Sequence, residues 1–61
     1  MERNNWEESV VRYFARFGEG RDLDEAMMQP LIVKWAAWAG REMTEERAAA
    51  LARDVVRAAR A

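Results

Sequence analysis

Few side chains in this sequence could carry out chemistry. It contains no histidine and no cysteine, so it lacks the usual general base, the usual thiol nucleophile and the commonest zinc ligands. Its only hydroxyl candidates besides a tyrosine are Ser9 and Thr44, and no histidine is present to activate either one. We therefore expect a protein that is not an enzyme and that has no catalytic, cofactor-binding or metal-binding residues.

The acidic residues form two clusters, one of Asp22, Asp24 and Glu25 and one of Glu45 and Glu46. Each cluster precedes a stretch of helical character, where acidic side chains interact favourably with the helix dipole. The sequence has no EF-hand spacing, no phosphate-binding glycine loop and no dinucleotide fingerprint. The clusters therefore predict helix starts, with neither acid–base catalysis nor divalent-cation binding.

The first predicted helix covers residues 6–17. Asn5 and Glu8 have the spacing of a capping box, and Gly18 is suited to the left-handed residue that often ends a helix. Five apolar residues share one side of this helix at its 100° repeat. They are Trp6, Val10, Tyr13, Phe14 and Phe17.

The second predicted helix covers residues 23–39, with its start at Asp22. Lys34 is the only charged residue between Glu25 and Arg41. Pro30 lacks an N–H and is unfavourable inside a helix but well suited to the first helical position. The pattern therefore fits either a short helix that breaks at Gln29 before a second one, or a single helix kinked near Pro30.

The third predicted helix covers residues 44–60. Thr44 is its expected N-terminal cap, and Met43 is placed to pack as a hydrophobic staple. Its apolar stripe consists of small and medium side chains, Ala48, Leu51, Ala52, Val55, Ala58 and Ala59. The sequence thus predicts one all-α domain over residues 1–61, a small bundle of three principal helices with or without a short extra helix before Pro30.

A chain of 61 residues without disulfides has limited means of stabilisation. We expect the apolar middle helix to contact both of its neighbours and also to form an interface, since tryptophan and methionine suit protein interfaces. The predicted interface residues are Met28, Leu31, Trp35 and Trp38. We therefore expect a regulator, inhibitor or accessory subunit that binds a protein partner or itself, as a homodimer.

Nucleic-acid binding is the alternative function. The last 15 residues contain four arginines and one aspartate, and Arg53, Arg57 and Arg60 lie opposite the apolar stripe of the third helix. Residues 36–46 partly resemble the spacing of a helix-turn-helix motif. However, Glu45 and Glu46 would then meet electronegative base edges.

A membrane location is not expected. The longest uncharged run is residues 26–33, far shorter than the roughly 20 residues that span a bilayer. The net charge of −1 also disfavours a surface helix on anionic lipid. No basic-then-apolar leader is recognisable at the start of the sequence, so we expect a cytoplasmic protein.

Overall fold

A computed structural model describes residues 3–60. Residues 1, 2 and 61, at the two ends of the predicted domain, lie outside the described residues. Helix α1 is Asn5–Phe17, α2 is Glu25–Trp38 and α3 is Glu45–Arg60. Residues 3–60 contain no β-strand. The predicted all-α class with three principal helices is confirmed.

Helix α1 begins one residue earlier than the sequence suggested. The Glu7 backbone N–H donates to Asn4 Oδ1 at 2.8 Å, and the Asn4 N–H donates to Glu7 Oε1 at 3.1 Å. The capping box is therefore Asn4 with Glu7, and the predicted box of Asn5 with Glu8 was wrong. Both pairs have the required spacing, and in the observed pair the Glu7 carboxylate also accepts hydrogen bonds from Arg47 of α3.

Asp24 is the N-terminal cap of helix α2, and its Oδ1 accepts from the Ala26 N–H at 2.9 Å, so the predicted cap at Asp22 was two residues early. The helix runs on through Pro30, its sixth residue. No separate short helix precedes Pro30 and no break occurs at Gln29. The missing Pro30 N–H deprives only the Ala26 carbonyl of a partner, and Ala26 is exposed to water.

Two glycines end helices for different reasons. Gly40 has φ 72°, donates its N–H to the Ala37 carbonyl at 3.1 Å and lets the Arg41 N–H reach the Ala36 carbonyl at 2.9 Å, a Schellman motif. Gly18 has φ −87°, so the prediction that it is left-handed was wrong. Glycine leaves space there, because a Cβ would clash with the Leu23 side chain and force it to move.

Helix α3 packs extensively against both other helices. The middle helix α2 contacts both of its neighbours, as expected, but it meets α1 mainly through Trp35 and packs much more extensively on α3. Its side chains at Ala48, Leu51, Ala52 and Val55 are fully buried. Because alanine is small, the α3 backbone can approach both neighbours closely. The rest of the core cluster comes from the other helices, at Val10, Val11, Phe14, Met28 and Ile32.

Candidate functional site

A large apolar surface on α1 and α2 is not covered by α3. On α2 the buried residues are Met28, Ile32 and Ala36, which form one stripe at four-residue spacing. A second stripe on the same helix has no covering element. Together with two residues of α1 it forms what we call the aromatic surface: Tyr13, Phe17, Met27, Leu31, Trp35 and Trp38.

Helical geometry accounts for the continuity of the aromatic surface. Its four α2 residues follow one another at intervals of four, four and three, which keeps them on one face. Tyr13 and Phe17 are likewise one turn apart on α1. The two stripes meet at Trp35, whose ring centroid lies 5.2 Å from that of Tyr13 and 5.0 Å from that of Phe14.

The exposure of these side chains is large for apolar residues. Trp38 is 80% exposed, Met27 68% and Phe17 59%, and the remaining three lie between 37% and 54%. At about 200 Å² per large side chain, the aromatic surface presents roughly 700 Å² to solvent. The largest apolar patch on a typical monomer is about 300–600 Å² and is often functional. This surface is therefore the leading candidate for a binding site.

The structure places three of the four predicted interface residues, Leu31, Trp35 and Trp38, on the aromatic surface. Met28 is only 5% exposed and belongs to the core cluster, so its side chain is not on that surface. Its neighbour Met27 lies there instead. The difference arises because α3 packs on the face of α2 that contains Met28.

Tyr13 and Phe17 were not predicted as interface residues, because their spacing places them on the same apolar side of α1 as Val10 and Phe14. The buried apolar side of α1 instead centres on Val10, Val11 and Phe14. Val11 was the available signal, since a valine next to Val10 widens the apolar arc beyond what one neighbouring helix can cover. Part of that arc must then remain exposed.

Basic residues border the aromatic surface. Arg12 and Arg16 are exposed and directly precede Tyr13 and Phe17 along α1. Lys34, also exposed, lies next to the α2 stripe. The Arg21 guanidinium also lies 4.9 Å from the ring centroid of Phe17. The Arg41 guanidinium lies 5.1 Å from the ring centroid of Trp6, outside the aromatic surface, in a groove that Met43 and Arg47 also line.

The acidic residues of the described helices lie elsewhere. Glu8 and Asp54 both pair with Arg3, at 3.0 and 3.4 Å. Glu25 borders a groove shared with α3, and Glu45 and Glu46 occupy the first turn of α3. The remaining acids of residues 3–60 are Glu7, whose partner is on α3, and those of the connecting segments, Glu19, Asp22, Asp24 and Glu42. On α1 and α2 the exposed bases Arg12, Arg16 and Lys34 thus lie beside the aromatic surface, and the exposed acids nearest to it are those of the connecting segments.

Glu7 is the one buried charged residue within residues 3–60, at 7% exposure. Arg47 of α3 donates to it from both Nε and Nη2 at 2.8 Å. These hydrogen bonds hold the pKa of the Glu7 carboxyl below its ordinary value, with the Asn4 N–H adding to the effect, while burial opposes it. The carboxylate is therefore ionised at neutral pH and fully engaged. This ion pair links the first turn of α1 to the first turn of α3. Because both carboxylate oxygens are already hydrogen-bonded, Glu7 is poorly suited to act as a general acid or base.

A surface groove of about 220 Å³ lies beside this pair, with Trp6, Arg41 and Met43 in its lining. Both oxygens of Glu7 already accept hydrogen bonds from Arg47, and Thr44 Oγ1 accepts from the Arg47 backbone N–H at 3.1 Å. Thr44 is therefore the cap of α3, as predicted. The polar atoms of Asn4, Glu7, Thr44 and Arg47 at this groove are thus engaged in hydrogen bonds of the fold.

The three predicted nucleic-acid-binding residues, Arg53, Arg57 and Arg60, are all exposed and line one groove together with Glu25 and Val56. The structure thus brings them together. The connection between α2 and α3 runs from residue 39 to residue 44, which is longer than the three or four residues typical of a helix-turn-helix. Glu25 also places negative charge in the same groove.

No protein-family model, curated protein or solved structure matches this chain. Among residues 3–60, no helix is both long enough and apolar enough to cross a membrane. The same residues contain no cluster of three or more acidic side chains arranged to hold a metal ion.

Proposed function

We propose that this chain is a small, non-enzymatic, cytoplasmic protein-interaction module that binds its partner through the aromatic surface. The observation that carries the proposal is the exposure of roughly 700 Å² of contiguous aromatic and aliphatic side chain. Tryptophan and tyrosine contribute most to binding energy at protein interfaces. A regulator, inhibitor or accessory subunit would use such a surface to bind a larger protein.

Self-association is a prediction that this surface supports by area. Two copies that buried it against each other would remove about 1,400 Å² from water, within the roughly 1,200–2,000 Å² of stable interfaces. Charge opposes it, because the basic residues around one surface would approach those around the other. Light scattering on the intact chain, at increasing concentration, measures whether the homodimer forms.

Site-specific photo-crosslinking tests the proposed function in the cells that make the protein. Benzoyl-phenylalanine would replace Trp38 in one variant and Arg57, an exposed residue of α3, in a matched control. We expect adducts from position 38 that are absent from position 57 and that survive nuclease treatment. An adduct of twice the chain mass would identify the homodimer. Equal patterns from the two positions would refute the proposal.

The alternative function is nucleic-acid binding by the exposed cluster of Arg53, Arg57 and Arg60. It predicts a low-salt affinity for DNA or RNA that falls steeply with added salt. Replacement of all three residues by glutamine would then abolish that affinity without loss of helicity. If the parent chain shows no affinity at low salt, this alternative is wrong.

A further inference from the structure

The aromatic surface also carries information about the chemistry of its partner. We propose that its occupant is an amphipathic helix of another protein, with acidic residues on both sides of the apolar stripe of that helix. This inference rests on the proposed function and adds to it the class and charge of the partner.

The arrangement of the helices favours a helical occupant. Helix α3 packs against one side of α1 and α2, and the aromatic surface lies on a side that α3 leaves uncovered. A partner helix there would pack on α1 and α2 together, as α3 does. From Met27 to Trp38 the α2 stripe extends about 17 Å at 1.5 Å per residue. A helix of about three turns matches that length.

The variation in exposure across the aromatic surface also favours a helical partner. Trp35 lies where α1 and α2 meet, in contact with Tyr13 and Phe14. It is 37% exposed, less than Tyr13 on one side and Trp38 on the other. The apolar surface is therefore least exposed where the two helices meet. The side chains of a partner helix can reach the partly covered Trp35 ring, whereas a flat lipid surface would contact mainly the more exposed residues.

Charge determines which kind of helix fits. Arg12 and Arg16 lie along the α1 side and Lys34 along the α2 side, and none of the three forms an ion pair with another residue of the described range 3–60. Acidic residues flanking the partner's apolar stripe would lie near these bases. The resulting complementarity speeds association and excludes basic helices. It also disfavours a second copy of this chain, whose own border is basic.

A selection experiment tests the charge of the partner directly. The probe is a library of helical peptides of about 18 residues with fixed leucine anchors at helical spacing. Their flanking positions vary among glutamate, glutamine and lysine. We expect selection on the intact chain to enrich glutamate at the flanks. A peptide with glutamate flanks should bind about tenfold more tightly than the same stripe with lysine flanks, because several exposed ion pairs each add a small favourable contribution.

A charge-reversal variant tests which residues of the chain cause the preference for glutamate-flanked peptides. In R12E/R16E/K34E the preference should invert, so that the lysine-flanked peptide binds more tightly than the glutamate-flanked one. A gain of binding of this kind cannot come from loss of folding. The matched control is R53E/R57E/R60E, which changes charge equally on α3 and should alter the ratio of the two affinities by less than twofold.

Several results would overturn the inference. They are enrichment of neutral or basic flanks, an unchanged preference in R12E/R16E/K34E, and binding to vesicles containing phosphatidylserine in the absence of any peptide binding. If position 38 gives protein adducts but the library yields no helix, the inference fails while the proposed function stands. If position 38 gives no specific adduct, the proposed function itself fails.

Discussion

The ion pair between Glu7 and Arg47 offers the sharpest test of how this small fold is held together. Replacing Glu7 with glutamine keeps the size of the side chain and an oxygen that can accept from the Asn4 N–H. It removes the negative charge that faces the Arg47 guanidinium. The variant therefore isolates the charge of the pair from the capping of α1.

The magnitude follows from burial. Breaking a fully buried ion pair by removing one partner costs about 3–5 kcal/mol, because the other charge is left without compensation. Here Glu7 is nearly fully buried, but the Arg47 side chain is 24% exposed, so water can partly hydrate it. We expect Glu7→Gln to lower the free energy of unfolding by about 2 kcal/mol, discounted for that hydration. For a domain of this size, Tm should then fall by roughly 10–15 °C.

The assay is thermal and urea unfolding followed by circular dichroism, with Glu8→Gln as the matched control. Glu8 is the next residue in the chain, and its carboxylate pairs with Arg3 at 3.0 Å near the surface. An exposed pair of that kind is worth less than about 1 kcal/mol. If the two variants lose equal stability, the buried pair is not what fastens α1 to α3, and the reasoning is refuted.

Three further predictions concern burial, space and titration. The pKa of Glu7 is lowered in the folded state. Its carboxylate therefore contributes fully to the free energy of unfolding above about pH 4.3, and this contribution is lost as the pH falls through the folded-state pKa. The decrease in the free energy of unfolding on acidification should be shallower in Glu7→Gln than in the parent chain. Gly18→Ala should lower the free energy of unfolding by about 1 kcal/mol because the new Cβ displaces the Leu23 side chain. In a double-mutant cycle, Gly18→Ala should cause no such loss when it is made in the Leu23→Ala background. Trp38→Gln should change the free energy of unfolding by less than about 0.5 kcal/mol, whereas Leu51→Ala, at a fully buried position, should cost about 3 kcal/mol; equal losses at the two positions would contradict the assignment of Trp38 to an exposed surface.

The helix ends show how far local sequence information reaches. Thr44 was identified correctly because a hydroxyl cap acts on backbone atoms only a few residues away. The start of α1 was off by one residue because Asn4 with Glu7 and Asn5 with Glu8 are locally equivalent. Arg47, 40 residues further along the chain, distinguishes between them. Only the packed structure contains that information.

The candidate site also combines features that the sequence predicts with features that only the packed structure determines. From the sequence, Leu31, Trp35 and Trp38 were predicted to form an interface, because a helix that is apolar nearly all round cannot bury every face; the structure leaves all three exposed. The sequence could not determine which face α3 would cover, and hence whether Met27 or Met28 would be exposed. A residue step on a helix is 100°, so this choice depends on the position of a neighbour that periodicity does not specify.

The sequence by itself determined the all-α class, the three helices and the lack of the side chains that most enzymes and zinc sites require. These properties depend on residue types and on spacings within single helices. The tertiary structure decided that α3 is central, that Pro30 lies within one helix, and that Tyr13 and Phe17 join the α2 stripe in one exposed surface. Each of these outcomes depends on which helices approach each other, and the small side chains of α3 allow its backbone the closest approach to both neighbours.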